Sequence, residues 1–206
     1  MPLHAEHPYH TGFAIMAEQE TSLALFPFQV VVFPGGICPL HIFEPRYRKL
    51  VADRLTDDRP FGITFGTDES HAPIGCALDV TGILQKFPDG RLNIVTRGYR
   101  RFRIIRALQT DAPYAVVSAA WLDDDEEKVP GELVDRVRDL FRSAALKKEW
   151  GINLPVDVER DPAKLSWLLG EAMHLTNEAR QELLELTTAS KRLETEVRWL
   201  NALLTG

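Results

Sequence analysis

The chain is poor in the residues that would suit it to several kinds of chemistry. Its two cysteines, Cys38 and Cys76, are too few for a disulfide framework or a cysteine-rich zinc site, and they fit a reducing compartment. No apolar run nears the ~20 residues that a membrane-spanning helix needs; Val30-Val31-Val32-Phe33 is typical. Residues 1–22 lack the basic start and continuous apolar stretch of an export signal. Positive charge is in deficit, 24 Lys and Arg against 30 Asp and Glu for a net −6, which argues against a general binder of nucleic acid or anionic membrane. The chain has no Gly-x-x-x-x-Gly-Lys-Ser/Thr loop, no Gly-x-Gly-x-x-Gly turn and no Gly-x-Ser-x-Gly elbow, so no motif cradles a phosphate or presents a serine nucleophile. The expectation is a cytoplasmic protein that is not an enzyme and carries no cofactor or metal.

What is present suits a packed fold. The 206 residues are 45% hydrophobic, enough for a core, and at roughly 100–200 residues per domain they make one domain or two small ones. His4, His7 and His10 lie three apart in a segment expected to be flexible, and Met16 offers an alternative start that would make the first fifteen residues dispensable. From there to Leu122 the pattern is short strands punctuated by Gly and Pro. Strands are expected at Leu23–Phe28, Val30–Phe33, Ile37–Phe43, Pro60–Gly66, Ile74–Phe87, Arg91–Thr96, Tyr99–Gln109 and Tyr114–Leu122. Pro34-Gly35-Gly36 and Phe87-Pro88-Asp89-Gly90-Arg91 are turns, the second closing an antiparallel hairpin. Glu44-Pro45 opens a helix with Tyr47, Leu50, Val51 and Leu55 on one face.

From Asp123 the period becomes helical. The acidic run Asp123–Glu127 reads as a solvated linker. Pro130 starts a helix with the face Leu133, Val134, Val137, Leu140, Phe141 and Ala144. Asp161-Pro162, Thr176 and Ser190 read as caps of three more helices, which carry Leu165, Leu168 and Leu169, then Ala179, Leu183, Leu184 and Leu186, then Leu193, Val197, Leu200 and Leu204. The fold class is therefore α+β, an antiparallel pseudo-barrel sheet followed by a helical bundle. The expected divisions are 1–21, 22–122 and 123–206. Basic and acidic side chains balance over 1–122, so the whole net charge lies in 123–206.

Polar chemistry concentrates in few places. Cys38-x-x-His41 resembles a thiol–imidazole pair, but residues three apart on a strand face opposite ways; a buried Cys and a partly exposed His are expected. His174 reads as a packed or capping residue at a helix end. Lys86–Arg106 holds seven basic residues against Asp89 alone. If the strand stays extended past Gly98, then Arg97, Tyr99, Arg101 and Arg103 share a face that could hold a nucleic-acid strand. The alternatives are that these arginines pair with the acidic helical half, or that Gly98 marks a bulge.

One family matches these residues in order. Leu25-Phe26-Pro27-Phe28, Val31-Val32-Phe33-Pro34-Gly35 and Pro39-Leu40-His41-Ile42-Phe43-Glu44-Pro45-Arg46-Tyr47 closely resemble the N-terminal substrate-binding domain of the Lon protease family. So do Ile74-Gly75, Ile83 to Gly90, Gly98-Tyr99-Arg100-Arg101-Phe102-Arg103-Ile104, Arg180 to Glu185 and Arg192-Leu193. The resemblance covers about residues 22–204. It implies a pseudo-barrel and bundle, and a part in selecting substrates and assembling subunits. In the protease the ATPase and Ser–Lys peptidase parts would continue from where this sequence ends, so neither activity is carried over and the chain resembles the stand-alone branch of the family.

At the matched positions Pro39 implies a strand edge or start, Glu44 caps the helix or pairs with Arg46 or Arg48, and Phe33, Phe43 and Tyr47 belong to the core. Three function classes follow. The first is a non-catalytic module for unfolded or partly folded polypeptides, with a protease or chaperone as further partner. The second binds nucleic acid through Arg97, Tyr99, Arg101 and Arg103. The third receives a small ligand around His41, Glu44 and Arg46.

Overall fold

The computed structural model describes residues 20–150 and 161–205; the expectations for His4, His7, His10 and Met16 lie outside them. Six strands come first: β1 (Glu20–Phe28), β2 (Ile37–Ile42), β3 (Phe61–Phe65), β4 (Ile74–Lys86), β5 (Leu92–Leu108) and β6 (Val116–Leu122). Helix α1 (Pro45–Asp57) sits between β2 and β3, while α2 (Gly131–Lys147), α3 (Pro162–Ala172), α4 (Asn177–Glu185) and α5 (Ala189–Thr205) follow β6.

The sheet runs β2-β5-β4-β3-β1-β6 and closes on itself because β5 also pairs with β6. Every pairing is antiparallel except β1 with β3. That parallel pair departs from the all-antiparallel expectation, and α1 lies in the crossover it requires. Phe61, Ile63, Leu78 and Ile94 are fully buried inside with Tyr47, Leu50 and Val51 of α1; such side chains contribute about 1.5–3 kcal/mol each. Leu55 is instead exposed, because Arg54, one residue earlier, turns in its aliphatic stem and pairs with Asp57.

Several expected elements change character for identifiable reasons. Tyr99–Gln109 is no separate strand but the second half of β5. Val30–Phe33 forms no strand, although Val31, Val32 and Phe33 are buried. Helix α4 satisfies its backbone instead: Arg180 Nε donates to Val31 O at 3.0 Å and Asn177 Nδ2 to Gln29 O at 3.0 Å. The acidic run is exposed except at Asp124 and is bonded to both halves as well. Asp123 pairs with Arg100, Asp124 with Arg101 and Arg192, Asp125 N donates to Thr187 O, and Glu127 accepts from Ser190 N.

Asp161 and Thr176 cap α3 and α4 as expected. The α5 cap is Thr188, whose hydroxyl accepts from Lys191 N; Ser190 lies inside the helix. His174 is exposed in the turn after α3 with φ +51, edge-on to Trp150 at 6.1 Å. Three helices of the bundle, α2, α3 and α5, share a core of Val137, Phe141, Leu165, Leu169, Leu193 and Leu200.

Another apolar cluster joins the strand-rich part to the helices: Val31, Phe33 and Ile74 against Trp167, Leu183 and Leu184. Gly98 belongs to this seam, because a Cβ there would lie 2.1 Å from Phe33 O. Phe33 packs so closely on α3 that a Cβ at Gly170 would lie 2.8 Å from its ring.

Candidate functional site

The strand barrel closes along only part of its height. Residues 20–24 of β1 pair with β6, but from Leu25 onward β1 continues with β3 alone in the ladder. Strand β5 likewise exchanges partners, taking β6 from Arg101 onward and β2 from Arg97 back to Leu92. The C-terminal half of β1 and strand β2 therefore face each other across a gap, a groove of about 400 Å³.

Its floor is apolar. Phe26 meets the Tyr47 ring at 4.1 Å between centroids, with Leu40 and Ile42 beside them. Phe28 lies along β1, its ring 5.4 Å from Phe26. Phe43 lies along β2, stacked on His41 at 6.0 Å. Phe28 is 43% exposed and Phe43 58%. Phe43 was expected in the core; the alternation of β2, which buries Cys38, Leu40 and Ile42, carries it outward instead.

Charge gathers at one end of the groove. Arg46 bonds Glu44 at 2.9 Å and Asp68 at 2.7 Å, and its guanidinium lies 4.4 Å from the centre of the Tyr47 ring. Glu44 thus pairs with Arg46, and its side chain makes no cap to α1. The Asp68 hydrogen bond, first among its causes, raises the Arg46 pKa further. Burial, then the Asp68 charge, pushes Tyr47 up to about 12, so its hydroxyl stays protonated and donates to Asp68 at 3.5 Å.

On the far lip His41 Nδ1 donates to Asn93 Oδ1 at 2.6 Å, since the Asn93 amide donates to Gln85 at 3.2 Å. His41, Glu44 and Arg46 all line this groove, His41 on one lip and Glu44 with Arg46 at the charged end. Asp68, Glu69 and Phe28 join them unforeseen, because nothing local to Thr67-Asp68-Glu69 signals that β3 delivers it beside α1.

The basic strand comes apart. Tyr99 has no partner on β4, where Ala77 faces Arg100 and Leu78 faces Gly98. This bulge turns Arg101 inward while Arg97, Tyr99 and Arg103 stay exposed. Arg101 is 3% exposed and donates to Leu184 O at 2.8 Å, Leu186 O at 2.7 Å and Asp124 at 2.6 Å. The four residues do not share one face, and Arg100 and Arg101 pair with the helical half's Asp123 and Asp124.

Cys38 and His41 point to opposite faces, Cys38 buried and His41 exposed. Burial, its largest cause, raises each thiol's pKa, so Cys38 and Cys76 are held as thiols. Among the described residues no group of three His, Cys, Asp or Glu could hold a metal ion, and no helix is long and apolar enough to cross a membrane.

Residues 22–202 match the family model described as the ATP-dependent protease La (LON) substrate-binding domain. Lon protease 1 of Hydrogenovibrio crunogenus is 29% identical over 177 residues, 80% of this chain and 22% of that protein. The Lon protease of Mycolicibacterium smegmatis is 26% identical over 191 residues, 89% of this chain and 24% of that protein. The chain thus spans about a quarter of these relatives' length.

Among solved structures, a Lon N-terminal domain protein from Xanthomonas campestris superposes with a TM-score of 0.70 at 28% identity, covering 87% of this chain and 98% of that one. The N-terminal domain of the Mycobacterium avium complex Lon protease gives 0.67 at 19% identity, covering 88% and 98%; at that identity it speaks for the fold alone.

Proposed function

Because the chain belongs to the ATP-dependent protease La (LON) substrate-binding domain family, we propose that it is a non-catalytic module that takes apolar side chains of unfolded or partly folded polypeptides into the groove between β1 and β2. The observation that carries this reading is the pair of aromatic lips, Phe28 and Phe43, standing exposed over an apolar floor. Exposed aromatic surface around a concave site gains most when a partner covers it. The polar groups of the groove are already committed to one another, Arg46 to Glu44 and Asp68, His41 to Asn93. That arrangement suits orientation of a bound chain better than bond cleavage. In the cell such a module would work in the cytoplasm and pass its cargo to a protease or chaperone.

Fluorescence anisotropy with a labelled, permanently unfolded polypeptide tests the reading. Wild type should bind, and Phe43→Asp should weaken binding about tenfold or more, the equivalent of losing one buried aromatic contact, with circular dichroism unchanged. Equal affinities would remove the groove from the function.

A further inference from the structure

Resting on the polypeptide-binding reading, we propose that the cargo binds as an added β-strand on the free edge of β2, and that a segment alternating apolar and basic side chains is preferred. The backbone register identifies the groups involved. Gly98 N donates to Gly36 O at 2.8 Å, and Ile37 faces Arg97 one step further along. Bonded and non-bonded pairs alternate in an antiparallel ladder. Cys38, Leu40 and Ile42 therefore bond to β5, while Ile37, Pro39 and His41 turn their backbone groups away from it. The Thr96 hydroxyl, which reaches Cys38 O at 2.7 Å, agrees with that parity.

β2 pairs only with β5 among the described strands. Its outer edge thus offers the N–H and C=O of Ile37 and His41 and the C=O of Pro39. Paired groups there would lie beside the groove that takes alternate side chains, the arrangement by which a sheet edge recognises an extended peptide.

Two features choose among occupants. The groove is lined by the carboxylates of Glu44, Asp68 and Glu69 against the single guanidinium of Arg46, so its rim favours a basic segment over an acidic one. Proline stands on both lips, Pro27 on β1 and Pro39 on β2, so pairing of these edges between two copies would lose a donor on each strand, whereas a foreign strand on β2 forgoes only that of Pro39. A second copy would also set one acidic rim against another. A foreign extended segment of roughly six residues, spanning about 20 Å at strand rise, matches the length of β2.

The test uses the full chain and three labelled seven-residue peptides: alternating leucine and lysine, alternating leucine and glutamate, and the leucine–lysine peptide N-methylated at alternate amides. The protein is wild type, His41→Pro or Phe43→Asp. His41→Pro removes an outward N–H without breaking a β5 bond, and thermal melting verifies that it folds.

The expected result is that the lysine peptide binds at least about tenfold tighter than the glutamate peptide at low salt. N-methylation and His41→Pro should each weaken it by about fivefold per hydrogen bond lost. Binding that ignores both backbone changes yet falls with Phe43→Asp would overturn strand addition and leave the groove reading standing. A preference for the glutamate peptide would overturn the charge assignment. No binding by any peptide, with Phe43→Asp also without effect on the unfolded polypeptide, would defeat the groove reading as well. Self-association of wild type that His41→Pro abolishes, without peptide binding, would make a second copy the occupant and overturn the proposal.

Discussion

Glu196 sits fully buried on α5, one turn beyond Arg192, and neither carboxylate oxygen has a hydrogen-bond partner. Burial raises its pKa well above the ordinary value of 4.5, and the Arg192 charge only partly opposes this. The sign follows directly. A carboxyl whose folded pKa is raised binds its proton more tightly when folded, so stability is full below about pH 4.5 and falls as pH rises toward the folded pKa. Glu196→Gln, which cannot ionise, should therefore raise Tm at pH 8, with the advantage shrinking toward pH 4.5. Melting curves across that range check it, and a pH-independent difference would contradict the burial argument. No sequence pattern flags this group: Glu194 and Glu196 differ in environment only because α5 buries one face against α2 and α3.

Among the elements, the start of α5 separates local from tertiary information. Thr188, Ser190 and Glu127 all stand near that terminus, and the expected cap was Ser190. Thr188 takes the position because Ala189 already has helical geometry, while the Glu127 carboxylate accepts from the Ser190 N–H. Thr188→Ala should cost about 1 kcal/mol of stability, and Ser190→Ala under about 0.5 kcal/mol; urea denaturation of both variants distinguishes them. β5 makes the complementary point. Glycine at 98 announced a break in alternation, but the direction in which Arg101 turns depends on Leu184 O, Leu186 O and Asp124 waiting on the helical side.

Across the whole molecule, sheet and helices are joined by charge as well as packing. The Asp124 carboxylate bridges Arg101 of β5, at 2.6 Å, and Arg192 of α5, whose Nη1 lies 2.8 Å away. Both guanidiniums lie over the Trp167 ring, at 5.4 and 3.8 Å from its centre, and Arg192 Nε donates to Ser166 at 2.8 Å. Removing the shared anion leaves two buried cations facing each other. Asp124→Asn should cost about 3 kcal/mol. Wild type should unfold in one transition by tryptophan fluorescence and far-UV circular dichroism alike. A variant with unchanged midpoint would show that apolar packing of Phe33 and Trp167 alone holds the parts together.

The sequence alone determined the strand-rich first part, the hairpin at Pro88–Gly90, the edge character of Pro39, the helical faces after Pro130 and the family resemblance, because periodicity, turn chemistry and capping are local. It also singled out His41, Glu44 and Arg46, which the end of β2 and the start of α1 place along one groove. Only the tertiary structure decided which apolar residues stay outside. Phe43 and Phe28 carry the same aromatic signal as Phe33 and Phe61. Their exposure comes from the place where β1 loses β6 and β5 exchanges β6 for β2. Alternation along β2 decides only that Phe43 lies opposite Leu40 and Ile42; which faces stay open is a matter of register between strands far apart in the chain.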